Sequence, residues 1–307
     1  MQSKILCGSV AAALTVLLAG CATPPAKPAS AVAGTTSATT TEDQGKNLKP
    51  ADAKAFTAAV QKGDDAFRAQ DFDRAIYYYV QAMEKSPKDA ITPAKIGAIE
   101  DARGNAELAE KAFVLAHTAD PQDSRIAERL GRLYLRDGKI DQAAEIFTAV
   151  LSRDATRTRS LDGMGEVCVA RGSFEEAEHY FDRALAAEKP DRAALLTHRG
   201  YVKVRLNDLV GGEADFRAAL AVESREDAWR YLGDLLARRG DNAEAFETLL
   251  HVMDIAQAYN EIGIMLMSAS KFQDASEYFT KAIKASPSWF EEAQKNLAVA
   301  DEHLHHS

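Results

Sequence analysis

Groups able to do chemistry are few in this chain, and their spacing suits no known reaction centre. Asp162-Gly163-Met164-Gly165 sets two glycines beside a carboxylate, but lacks the spacing with which a phosphate loop aims backbone amides at an anion. His303, His305 and His306 form a short C-terminal tract of a kind that can bind metal, yet a chain end lacks the surrounding groups that fix metal ligands. His117, His179, His198 and His251 are scattered without ligand spacing. No nucleophile elbow and no zinc pattern occurs. The reading is therefore non-enzymatic, with no catalytic residue, no cofactor and no metal. Of three cysteines, Cys168 lies between Val167 and Val169, the setting of a small core residue and not of an activated thiol.

The elements that position these groups follow from a ladder of glycines: Gly63, Gly97, Gly131, Gly165, Gly200, Gly233 and Gly263, spaced by 34, 34, 34, 35, 33 and 30 residues. A period near 34 marks a helical repeat. Twelve positions after each glycine stands a small residue: Ala75, Ala109, Ala143, Ala177, Gly212, Ala245 and Ala275. Four further on comes a bulky apolar one: Tyr79, Phe113, Phe147, Phe181, Phe216, Leu249 and Phe279. Gly104, Gly138, Gly172 and Gly240 follow their own ladder glycines by seven and mark turns, and Pro87, Pro121 and Pro287 end units. Each unit thus predicts two antiparallel helices that approach closely at the small residues, with the bulky side chain filling the space towards the neighbouring hairpin.

This pattern resembles the tetratricopeptide repeat. The resemblance implies an all-α fold, a right-handed superhelical array of about seven helix hairpins at about 56–89, 90–123, 124–157, 158–191, 193–225, 226–255 and 256–289, within a repeat region of 51–289. Gly212 in place of alanine, and Lys189 and Ser224 in place of proline, depart from it. Asp52 is a suitable cap for the first helix, and the short interval from Gly233 to Gly263 predicts a kink near Met253-Asp254. Ser288-Trp289-Phe290-Glu291 has the form of a capping box, opening a capping helix over 288–305 with an apolar stripe of Phe290, Ala293, Leu297, Ala300 and Leu304.

Ahead of the repeats, Lys4 and the short apolar run Val10–Ala19 suit a signal peptide over 1–20. Leu18-Ala19-Gly20-Cys21 resembles a bacterial lipobox, which implies acylation of Cys21 as the mature N-terminus, and Ala22 after it implies transfer to the outer membrane, facing the periplasm. With Cys7 removed and Cys21 acylated, Cys168 would have no disulfide partner. Residues 21–50, rich in Ala, Thr and Pro, read as a disordered tether with a reach of roughly 30 Å.

In the resembled family, residues three before and one, four and five after the ladder glycine face a concave groove. Carried onto this sequence, those offsets select Arg132, Arg136, Tyr201, Arg205, Arg230 and Arg238, beside Glu128, Glu166, Asp234, Asn260, Ile264 and Met267. The groove is thus arginine-rich in a chain of net charge -9, a balance that disfavours nucleic acid and implies an acidic protein segment as partner, the alternative being that these arginines pair with Glu128, Glu166 and Asp234 or solvate the helices. The asparagines that cochaperones of this family place directly after the helix glycine are missing. Anchor, tether and repeats together are similar in architecture to lipoproteins of pilus and secretion systems, the Flp/Tad type among them. That similarity implies an outer-membrane scaffold for an envelope assembly. An adaptor for peptidoglycan hydrolases or proteases is the alternative.

Overall fold

The computed structural model describes residues 49–305 apart from 188, 189, 287 and 289. The expected signal peptide, Cys7, Cys21 and the expected tether up to residue 48 lie outside the described residues, as do Lys189, Pro287, Trp289 and His306. What is described is all α: fifteen helices and no strand. Two compact units divide the chain, one ending at Ala112 and the other beginning at Phe113.

In the first unit, α1 (Pro50–Arg68) and α2 (Phe72–Lys85) pair as a hairpin, followed by α3 (Ile91–Ala102) and the start of α4 (Ala106–Ala119). α1 begins with proline at its first turn, where a missing N–H costs no hydrogen bond, so Asp52 sits within the first turn and is not the cap. Tyr79 lies buried against Gly63: a methyl group there would come 2.5 Å from the ring. Its hydroxyl donates to Asp64 Oδ1 at 2.7 Å, and Lys95 of α3 reaches the same oxygen at 2.5 Å.

The second unit carries the pattern through α5 (Ser124–Arg136), α6 (Ile140–Leu151), α7 (Thr158–Arg171), α8 (Phe174–Leu185), α9 (Arg192–Arg205), α10 (Leu209–Val222), α11 (Glu226–Arg239), α12 (Asn242–Leu249), α13 (Ile255–Ser268), α14 (Phe272–Ala285) and α15 (Glu291–His305). Odd-numbered helices are the first of each pair and even-numbered ones the second. The bulky residue reaches the next hairpin, as Phe181 does at His198 and Phe216 at Tyr231, with ring centroids 5.5 and 5.8 Å apart. It also covers the ladder glycine of its own, since an added Cβ would lie 2.7 Å from Phe147 at Gly131, 2.7 Å from Phe216 at Gly200 and 2.5 Å from Phe279 at Gly263. Phe147 also meets a glycine of the following helix, Gly163. Gly212 brings the α9 and α10 backbones together, for a Cβ there would lie 3.0 Å from the Gly200 carbonyl oxygen.

Every turn within a hairpin holds a left-handed residue seven after the ladder glycine. Four are the expected glycines, and the others are Gln70, Asn207 and Ser270, with φ of 60°, 67° and 58°. The shortfall between Gly233 and Gly263 falls in α12, which has 8 residues where α10 and α14 each have 14. Asp254 then opens α13 with a full capping box: its carboxylate accepts from the Gln257 amide at 2.8 Å, and Gln257 accepts in return at 3.1 Å. At the C-terminal end, α15 begins at Glu291 and not directly after Ser288, whose carbonyl instead accepts from the Ser286 hydroxyl at 2.8 Å. Ala293 and Ala300 of α15 are buried, and Ala300 and Leu297 join the core formed by α10 to α14.

Candidate functional site

Within the second unit, the first helices α5, α7, α9, α11 and α13 present equivalent rows of side chains, and the structure separates these rows by what they touch. The row three before the ladder glycine is largely internal. Glu128, Asp162, Thr197 and Asn260 are buried there. Each buried polar group needs partners: Thr197 donates to the Ala193 carbonyl on its own helix, whereas those of Glu128 and Asn260 come from one repeat further along the chain. Glu128 accepts from Arg157 Nε at 3.0 Å and from the Ser160 hydroxyl at 3.1 Å. Asn260 accepts from Asn296 of α15 at 3.1 Å.

Asp162 is the centre of the largest such group. Arg132, from α5, donates both to Asp162 and to Glu166, the latter at 2.6 Å, while His198 of α9 places Nδ1 2.8 Å from the other Asp162 oxygen. Three successive first helices are thereby joined. Burial alone would raise the Asp162 pKa, but the His198 hydrogen bond and the Arg132 charge hold it below the ordinary carboxylate value. Burial likewise opposes charge on His198, yet the Asp162 bond, with the charges of Asp162 and Glu166, raises its pKa. Glu166 is raised by burial and by the neighbouring Asp162 charge. Donor atoms of Asp162, Glu166 and His198 lie within 4.8 Å of one another, close enough to share a metal ion. The Arg132 guanidinium already binds both carboxylates, so a metal would have to displace a cation whose fork geometry fits them.

The sequence reading placed His198 among scattered histidines and set Asp162 aside. The signal that links them is their separation of 36 residues, close to one repeat. Cys168 is buried, 3.8 Å from a Glu176 oxygen, and its thiol is pushed up to about 11 by burial and by that carboxylate. It is a core residue and carries no thiolate at neutral pH.

The predicted groove arginines divide accordingly. Arg132 is bound as described, and Arg230 reaches Glu261 at 3.5 Å. The row five after the ladder glycine is exposed throughout: Arg136, Ala170, Arg205, Arg238 and Ser268. Arg136 lies 3.4 Å from Asp137. Arg205 donates to the Tyr201 hydroxyl at 3.0 Å and lies over the Phe174 ring at 4.5 Å from its centroid. Tyr201 packs against Tyr231 with ring centroids 5.3 Å apart, and Tyr231 packs against Phe216 at 5.8 Å. Beside Arg230 and Arg238, Asp234 is pushed up to about 7, first by burial and then by the charge of Glu261, with the two arginines opposing. This face can hold an extended polar chain by charge and ring contacts. Among the described residues it brings together no nucleophile with a base.

Comparison with known proteins agrees with this geometry. Models described as tetratricopeptide repeat match residues 94–160, 134–198, 198–260 and 256–288. No curated protein matches the chain. Among solved structures, a tetratricopeptide repeat protein from Parabacteroides merdae is similar at a TM-score of 0.62 and 19% identity, over 81% of this chain and 99% of that one. A structure titled as a functional characterization of Pseudomonas aeruginosa PilF aligns at 0.54 and 17%, over 68% and 97%. PilW, described as a widely conserved type IV pilus biogenesis factor, aligns at 0.51 and 18%, over 79% and 98%.

Proposed function

The chain belongs to the tetratricopeptide-repeat proteins, and on that premise we propose that it is a lipid-anchored scaffold of the outer membrane that holds an acidic segment of an envelope assembly component. The observation that carries the binding reading is the exposed row of Arg136, Arg205 and Arg238 beside Tyr201, in a chain of net charge -9. Local charge opposite to the global charge selects partners, because like-charged encounters are disfavoured while a complementary segment is steered to the face. Tetratricopeptide repeats are non-catalytic interaction scaffolds, and no enzymatic family is indicated. Structural likeness to PilF and to PilW, the latter a pilus biogenesis factor, supports a pilus or secretion machine as the assembly served, at the level of fold.

In-cell photo-cross-linking from positions 136, 201 and 238, with the captured protein identified by mass spectrometry, tests this directly. Recovery of a secretin or pilus subunit is the expected result. Recovery of a peptidoglycan hydrolase or protease would replace the assembly role with the adaptor role, and charge reversal at Arg136, Arg205 and Arg238 without loss of capture would remove the acidic-segment reading.

A further inference from the structure

We propose that Arg205 anchors a carboxylate-binding subsite on α9, which takes an Asp or Glu side chain from an extended protein segment. The inference rests on the binding role proposed above and assigns its anchor. Among the arginines of this face, Arg132 is neutralised by Asp162 and Glu166, and Arg230 by Glu261. Arg205 has no carboxylate within ion-pair distance among the described residues. Its polar contact is with a neutral phenol, the Tyr201 hydroxyl, at 3.0 Å.

The guanidinium is also held in place. One side lies over the Phe174 ring at 4.5 Å, and the Tyr201 ring centroid is 5.9 Å away. Stacking uses the face of the guanidinium and leaves its in-plane N–H groups free to donate, which is the geometry a carboxylate needs. Tyr201 is itself fixed by Tyr231, so the support reaches back to the core at Phe216. An arginine ordered in this way before binding loses less side-chain freedom on meeting its ligand. Arg238, on the next first helix and on the same exposed row, has no ion-pair partner among the described residues either. Two such cations on successive repeats fit a segment carrying more than one acidic side chain, and a single terminal carboxylate would leave one of them unmatched.

The test uses the full-length protein in detergent and a fluorescent short peptide of alternating Glu and Ala with an amidated C-terminus, read by anisotropy at low salt. The expected result is binding that is absent for the matching Gln peptide. Arg205→Gln should weaken it about tenfold. Arg205→Lys and Phe174→Leu should each weaken it by several-fold, while Arg132→Gln stays within about twofold of the wild type. Thermal melts of each variant separate loss of binding from loss of fold, and exposed Arg205 should melt as the wild type does. Undiminished binding by Arg205→Gln, with loss in Arg132→Gln or Arg238→Gln, would overturn the anchor while leaving an acidic partner in place. Equal binding of the Glu and Gln peptides would overturn the acidic reading beneath it. An Arg205-dependent affinity for a peptide whose only carboxylate is its free C-terminus, equal to that for the Glu peptide, would overturn the side-chain assignment.

Discussion

His198 and Asp162 support each other's charge, and the sign of the resulting pH dependence follows from their shifts. The raised His198 pKa contributes stability that is complete below its unfolded value of 6.5 and is lost as pH rises through the folded value. The depressed Asp162 pKa contributes stability that is present above 3.8 and is lost as pH falls through its folded value. His198→Asn should therefore lower Tm most near pH 5–6 and progressively less towards pH 9, at roughly 2–4 °C per kcal/mol lost. Asp234 acts in the opposite direction, since its folded pKa is pushed up to about 7 from 3.8 and the folded state holds the proton longer than the unfolded chain. Its carboxyl thus costs stability as pH rises from about 4 to 7. Asp234→Asn should raise Tm at pH 8 and leave it nearly unchanged at pH 4, as differential scanning calorimetry would register. Neither effect was legible residue by residue. Glu128, Asp162 and Asn260 find partners about one repeat away, so they are read correctly only after the register of neighbouring helices is known.

At the scale of the helix pair, most of the fold was legible, because glycine and the small residue twelve later report a steric fact that tolerates little substitution. Gly165→Ala would drive a methyl group into the Phe181 ring, and a loss of about 1–3 kcal/mol is expected from urea unfolding. The left-handed turn was legible only where glycine fills it. Gln70 and Ser270 adopt the same conformation without advertising it, since neither side chain favours positive φ. Ser270→Gly should relieve a left-handed strain of about 1 kcal/mol and shift the urea midpoint upward, whereas Gly172→Ala should move it down by a similar amount. The short sixth interval was also visible in the spacing, but not its location: the missing residues come from α12, and the capping box at Asp254 then restarts the next helix. An expected kink at this junction can be checked by restoring the missing turn of α12 and comparing scattering profiles of the two forms. An unchanged profile would remove the expectation.

For the whole molecule, the proposal joins a binding array to an anchor that lies ahead of the described residues. Cys21→Ser should move the protein from the membrane to the soluble fraction and abolish labelling by palmitate analogues, and a variant that stays membrane-bound and labelled would remove the lipoprotein reading. The surroundings of the expected groove residues were legible only in part. Family offsets mixed a buried row with an exposed one, and only packing shows that Arg132 is ion-paired with Asp162 and Glu166 while Arg205 meets Tyr201 and Phe174. That buried row has a consequence for how such a chain can change over generations. The hairpins share their glycines and look interchangeable by that mark, yet Arg132 in one must meet Asp162 and Glu166 in the next, and Asp162 must meet His198 in the one after. Duplicating, deleting or reordering any of the three would leave a buried charge unmatched. The order of these modules is written into their polar contacts, and gene rearrangements that would be silent in an array of identical repeats should be selected against here.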